Sequence, residues 1–199
     1  MKITSKKDVI KNVLIIILSA AVAALLIMQL LGADDDPSSR VINRVQIERR
    51  FLIDFDDLPW GKMGTSIDIL QSYISFTPEI RLRNVNGIEF TFLLRTPIEE
   101  SLISRQDVEF ELSREEYDEL FQKISGTVIH KTRYRFKYDE VDVRIDIFFG
   151  DLDGLVFAEV LFDSVEDAEA FKPFPWFGED VTEDLRYRNA MLSKDGLPA

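Results

Sequence analysis

The sequence predicts an α+β domain, mainly antiparallel β, with about eight strands and a few short helices, preceded by one N-terminal transmembrane helix. Three observations carry this expectation. From residue 43 onward, short segments alternate polar and apolar residues with period two, as strands with two unlike faces do. Asn86-Gly87 falls between two such segments, and both residues tolerate the positive φ of a tight hairpin turn. Residues 13–31 form an apolar run broken only by Ser19 and Gln29, long enough to cross a bilayer as a helix.

The N-terminal part divides into a basic tail (1–11), the membrane helix (12–32) and a polar linker (33–42) containing Asp34, Asp35, Asp36 and Pro37. Lys2, Lys6, Lys7 and Lys11 precede the apolar run, which predicts a cytoplasmic N-terminus and a domain on the far side of the membrane. A cleaved signal peptide is the alternative; the apolar run is longer than a usual signal core, and no A-x-A site follows it. A lipoprotein would need a cysteine, and there is none.

The domain is expected over 43–193, with a tail at 194–199. The first strand, 44–54, sets Gln46, Glu48 and Arg50 on one face. Strands follow at 66–75 and at 79–85, where Ile80 and Leu82 oppose Arg81 and Arg83. The next is 88–95, then 106–112, where Val108, Phe110 and Leu112 oppose Asp107, Glu109 and Glu111. Ser113 and Glu116 form a capping box ahead of Tyr117, Leu120, Phe121 and Ile124, so a helix is expected there, ended by Gly126. In 127–138, Lys131, Arg133, Arg135 and Lys137 share one face, and Val128, His130, Tyr134, Phe136 and Tyr138 the other. Strand 141–149 sets Asp142, Arg144 and Asp146 against Val141, Val143, Ile145 and Ile147, and a last strand spans 155–163. Ser164 opens a short helix to about 171. Pro173, Pro175 and Gly178 break the chain, and a helical turn is expected over 185–192.

Composition limits the chemistry. The absence of cysteine removes disulfides, thiol catalysis and thiolate metal sites, and a single histidine, His130, makes a histidine-built zinc site implausible. Any metal would be a hard ion on carboxylates. The net charge is −12. The four N-terminal lysines are cancelled by Asp8 and the three linker aspartates, so the net charge lies in the residues from 40 onward, which include the domain. Such a domain is repelled by bulk nucleic acid, and an anionic ligand would need a local basic pocket. Eight antiparallel strands are enough for a barrel one small ligand wide. Periodicity alone leaves two places for the charged faces: the solvated outside of a half-buried sheet, or the inside of such a barrel.

The order of motifs adds a resemblance. Gln46-Ile-Glu48-Arg-Arg50 is similar to an E-x-E-x-K opening, Gln71-Ser-Tyr-Ile74 to Q-G-Y-L, and Arg81-Leu-Arg83 to an R-x-R strand. Phe92-Leu-Leu-Arg95 is similar to L-T-I-K, and Lys131-Thr-Arg133-Tyr134 to K-T-R-Y. Asp146-Ile-Phe-Phe-Gly150 followed by Leu155-Val-Phe-Ala-Glu159 is similar to D-x-F-x-G and L-x-x-A-E, and 181–189 to V-T-x-D-x-R-Y-x-N. Together, over 45–192, these resemble the CYTH or triphosphate-tunnel family. The resemblance implies a tunnel of eight antiparallel strands that binds a triphosphate or polyphosphate-like anion and hydrolyses it with Mg²⁺ or Mn²⁺. It implies substrate contacts from Arg50, Arg81, Arg83, Arg95, Lys131, Arg133, Arg135 and Arg186. It implies catalytic and metal-binding roles for Glu48, Asp146 and Glu159. Guanidinium forks suit phosphate oxygens, and hard cations suit carboxylates. Glu109 and Glu111 either balance the arginines or assist the metal.

The sequence also departs from that pattern. Gln46 stands where the family has its first glutamate, Leu161 where it has the second acid of A-E-x-E, and Arg50 and Arg95 replace lysines. Arg144 stands where an acidic or neutral residue is usual. Each change moves the tunnel toward anion binding and away from metal. A binding or structural module without turnover is the alternative function. His130 is expected to pack, and Trp60 and Trp176 to be core or lid residues.

Overall fold

The computed structural model describes residues 41–97 and 104–198. The expected tail and membrane helix, and the linker up to residue 40, lie outside the described residues. Among those described, no helix is long and apolar enough to cross a membrane. Eight strands are present: β1 (Val41–Leu52), β2 (Ser66–Phe76), β3 (Glu79–Val85), β4 (Glu89–Pro97), β5 (Ser104–Leu112), β6 (Ser125–Tyr138), β7 (Val141–Phe149) and β8 (Val156–Phe162). Among the described residues there are three short α-helices: α1 (Arg114–Phe121) between β5 and β6, and α2 (Val165–Ala170) and α3 (Asn189–Asp195) after β8.

The strands close into an antiparallel barrel in the order β1-β5-β4-β3-β2-β6-β7-β8. β1 completes the circle by pairing through its first half with β5 and through its second half with β8. Closure removes both sheet edges and gives every strand one inner and one outer face. The burial pattern then assigns the charged faces to the inside. On β6, Lys131 and Arg133 are buried while Val128 and His130 on the other face are exposed. On β1, Glu48 and Arg50 point inward and Phe51, fully buried, points outward.

The main hydrophobic core therefore lies outside the barrel wall. The outer faces of β1, β7 and β8 (Phe51, Val143, Ile145, Ala158 and Val160) are covered by Ile53, Leu58 and Met63 and by Phe171, Phe174, Trp176 and Phe177. Each fully covered large apolar side chain contributes about 1.5–3 kcal/mol, which offsets the cost of an ionic interior. A second cluster (Tyr73, Ile129, Phe148 and Phe157) fills one end of the interior, where Val181 and α3 residues Ala190 and Leu192 close it.

Several local expectations change. β1 begins at Val41, inside the expected linker, because it is already paired with β5 there. Asn86 and Gly87 have φ of 53° and 73°, so they supply the positive-φ positions of the tight turn, but the loop has three residues, 86–88, between the paired Val85 and Glu89. Gly126 does not end the helix: α1 keeps the Ser113–Glu116 capping box but stops at Phe121. Gly126 instead sits in β6 with φ 75°, where an added Cβ would come within 2.6 Å of the Ser193 carbonyl oxygen of α3. The expected helical stretch over 185–192 is split by Arg188, whose backbone is extended. His130 does not pack inside; it lies on the outer surface, with Nε2 2.8 Å from Asp68. Trp60 is half exposed beside Phe55 and Tyr134, whereas Trp176 joins the covered aromatic cluster.

Candidate functional site

The inward faces enclose a polar cavity of about 130 Å³. β1 supplies Glu48 and Arg50, β3 supplies Arg81 and Arg83, and β4 supplies Arg95. β6 contributes Arg133 and Arg135, β7 Arg144, β8 Glu159 and α3 Asn189. Strand alternation explains the pattern: residues two apart on one strand return to the same wall. Seven guanidinium groups from five strands thus face two carboxylates across one small space. A roomier outer groove of about 480 Å³ surrounds Arg49, but there Arg49 is already bonded to Asp180 and to the Ala168 and Phe171 carbonyls.

Each carboxylate is held by cations. Arg50 donates to Glu159 at 2.7 Å and to Glu48 at 3.1 Å. Arg133 donates through Nε and Nη2 to both Asp146 oxygens, each at 2.6 Å, and reaches Glu159 at 2.9 Å. Lys131 donates to Asp146 at 2.7 Å, and both side chains are fully buried. Arg95 grips Asp107 bidentately at 2.6 Å, with Glu79 at 3.4 Å.

Three arginines are poorly matched. Arg81 and Arg83 approach Glu109 only at 3.9 and 4.0 Å, and the buried Nε of each has no hydrogen-bond partner. Arg144 makes no hydrogen bond or ion pair among the described residues. It stands in register opposite Arg135 on one side and Glu159 on the other. Like charges in direct register destabilise a sheet pair. Burial and neighbouring guanidinium groups accordingly push Arg81 down, Arg83 well down, and Arg144 down to about 10. Burial likewise lowers Lys131, against the pull of Asp146, to about 8. An anion entering the cavity would relieve Arg81, Arg83 and Arg144, which line it.

Of the expected contact residues, Arg50, Arg81, Arg83, Arg95, Arg133 and Arg135 share the cavity. Lys131 does not line it; fully buried, it braces Asp146 from behind. Arg186 faces solvent and pairs with Asp184. Its neighbour Arg188 takes the inward place, beside Glu79, Arg50 and Arg95 at the closed end. Arg144, Arg188, Asn189 and Asp107 were not expected as site residues. Strand parity with Asp146 was a usable signal for Arg144, and parity with Glu109 for Asp107, whereas nothing local distinguishes Arg188 from Arg186.

Of the expected metal set, Glu48 and Glu159 lie on the wall but are engaged by arginines, and Asp146 is sealed behind it. Glu109 faces Arg81 and Arg83, and Glu111 is exposed outside the cavity. Among the described residues, no three acidic or histidine side chains come together as a metal-ligand group. Leu161, opposite Glu48 in register, offers no oxygen. These residues do not fit a protein-built Mg²⁺ or Mn²⁺ site, because a bare divalent cation would meet more guanidinium than carboxylate.

The ionic interior predicts acid sensitivity. Burial alone would raise the Asp146 and Glu159 pKa values, but Arg133, with Lys131 or Arg50, outweighs it; Asp146 ends below and Glu159 well below the ordinary carboxylate range. A depressed folded pKa stabilises the fold above the unfolded value of about 4, and that stability is lost as pH falls toward the folded values. The melting temperature is therefore expected to hold steady from pH 7 to about 5 and to fall progressively below about pH 4.5. Calorimetric scans across this range check it; a melting temperature unchanged at pH 3 would refute it.

No family model matches the chain. It is 37% identical over 154 residues to the inorganic triphosphatase of Nitrosomonas europaea, covering 75% of this chain and 97% of that protein. It is 29% identical over 153 residues to the inorganic triphosphatase of Acetivibrio thermocellus, covering 75% and 94%. A crystal structure of an inorganic triphosphatase superposes with a TM-score of 0.56 at 34% identity, covering 74% of this chain and 93% of that one.

Proposed function

The chain belongs to the CYTH, or triphosphate-tunnel, family, and from that premise we propose that its barrel binds inorganic triphosphate or a similar short polyphosphate and hydrolyses it. The observation that carries this is the convergence of seven arginines from five strands on one small cavity. The orphaned Nε donors of Arg81 and Arg83 support it further. Buried donors without partners are costly to keep, so their presence inside a sealed wall favours a ligand that satisfies them. The cavity wall exposes no apolar area on which a base could stack, which favours an inorganic anion over a nucleotide.

In this proposal the arginines bind phosphate oxygens bidentately and neutralise the charge that spreads during phosphoryl transfer. The incoming anion competes with Glu48 and Glu159 for Arg50 and Arg133. Carboxylate oxygens released in that exchange can orient an attacking water at the cavity wall. A binding module without turnover is the second reading, favoured by the engagement of every wall carboxylate in ion pairs and by Leu161. Phosphate release from tripolyphosphate, measured in EDTA and again with Mg²⁺ or Mn²⁺, separates the two. Release above background in any of these media is the expected result. Tight binding with none leaves the binding reading.

The N-terminal segment would hold this domain at a membrane as a single-pass protein, with the barrel outside the cytoplasm. The lysines before the apolar run support that orientation. Protease added to intact cells is expected to cleave the barrel from its anchor; full protection would invert the orientation.

A further inference from the structure

We propose that Arg144 supplies the charge a divalent cation would otherwise bring, so that the cavity takes its short polyphosphate as the metal-free anion. The proposal rests on the function given above and adds the chemical form of the ligand and one residue that selects it.

The first support is the position of Arg144. It borders the cavity from β7, in register with Arg135 of β6 and Glu159 of β8, and among the described residues it has neither hydrogen bond nor ion pair. Two guanidinium groups facing each other across adjacent strands repel unless an anion lies between them. The arrangement therefore outlines a phosphate position at that wall.

The second support is the opposite wall. Glu48 faces Leu161, not another acid, across the β1–β8 register. Arg50 engages both Glu48 and Glu159, and Arg133 engages Glu159 as well. A metal-bound triphosphate would carry its cation into a space where these oxygens are already taken. The third support is the surplus of donors: the Nε atoms of Arg81 and Arg83 are orphaned. A metal-free anion offers all its oxygens to these donors, whereas a complexed one has given several to the ion.

The test is calorimetric titration of the full chain with sodium tripolyphosphate, in EDTA and in excess Mg²⁺ at equal ionic strength. The expected Kd in EDTA is equal to or lower than that in Mg²⁺. Arg144→Gln is expected to weaken binding in EDTA by about 10–100-fold through loss of a charge-assisted pair. In Arg144→Glu with Leu161→Glu, binding is expected to depend on Mg²⁺. Weaker binding in EDTA than in Mg²⁺ by the unsubstituted chain overturns the proposal and leaves the triphosphate function standing. An unchanged EDTA affinity in a folded Arg144→Gln also overturns it. Absence of binding in both media removes the function and the proposal together. The comparison of the two media needs no variant, so a poorly folding substitution does not blunt it.

Discussion

Asp146→Asn is expected to lower the unfolding free energy by about 3–5 kcal/mol, among the largest losses for a single isosteric change in this barrel. Asp146 is fully buried and receives three hydrogen bonds, two from Arg133 and one from Lys131. An asparagine keeps the volume but offers a single acceptor oxygen and no charge. Lys131 would be left in a fully buried place without its hydrogen-bonded counter-charge, with only the more distant Glu159 attracting it, and its ammonium, already lowered to about 8, would be displaced further toward the neutral form. Arg133 would retain only Glu159. Urea denaturation at pH 7 measures the loss. The same variant at pH 9–10 should recover part of it, because Lys131 can then fold unprotonated at lower cost. A loss below about 1 kcal/mol would mean that the triad is not worth what its geometry implies.

Arg83→Gln is expected to act in the opposite sense on stability while removing function. Arg83 touches Glu109 only at 4.0 Å, its Nε is orphaned, and burial with Arg81 and Arg133 nearby disfavours its charge. Removing that charge relieves the ligand-free barrel, and the melting temperature is expected to stay level or to rise by about 2–4 °C for each kcal/mol relieved. Tripolyphosphate affinity is expected to fall by about 10–150-fold, the value of one lost charge-assisted phosphate contact. Thermal scans with and without tripolyphosphate read both effects in one experiment. A variant that is less stable and binds normally would show Arg83 to be a structural brace. Residues that strain the empty fold and satisfy a ligand mark a site whose stability is held below its optimum for the sake of binding.

The elements themselves were legible because strand and turn signals are local. All eight strands lie within about three residues of their expected limits, and the Asn86-Gly87 turn has the required positive φ angles. The helix caps at Ser113 and Ser164 are present as expected, since a capping side chain bonds only to its own first turn. Gly126 misled for the same local reason: a glycine after an amphipathic segment suits a helix end, but here it admits the backbone of α3.

The site was legible in part. Alternation placed Arg50, Arg81, Arg83, Arg95, Arg133 and Arg135 on common faces, and family resemblance aimed those faces at one another. It could not distinguish a residue on the cavity wall from one sealed behind it, as with Lys131 and Asp146. Nor could it choose between Arg186 and Arg188, because that choice depends on a helix broken at Arg188 by its place over the closed end.

Sequence alone determined that the domain is antiparallel β, that its strands have one charged and one apolar face, and where the chain turns. These follow from the period-two geometry of the backbone and the φ limits of single residues, which act within a few positions. Only the tertiary structure decided which face is inside. That depends on whether the last strand returns to pair with the first, as β8 does with β1, and on whether remote aromatic residues such as Phe171 and Phe177 cover the outer wall. Both are long-range events, and they alone turn scattered arginines into a single cavity.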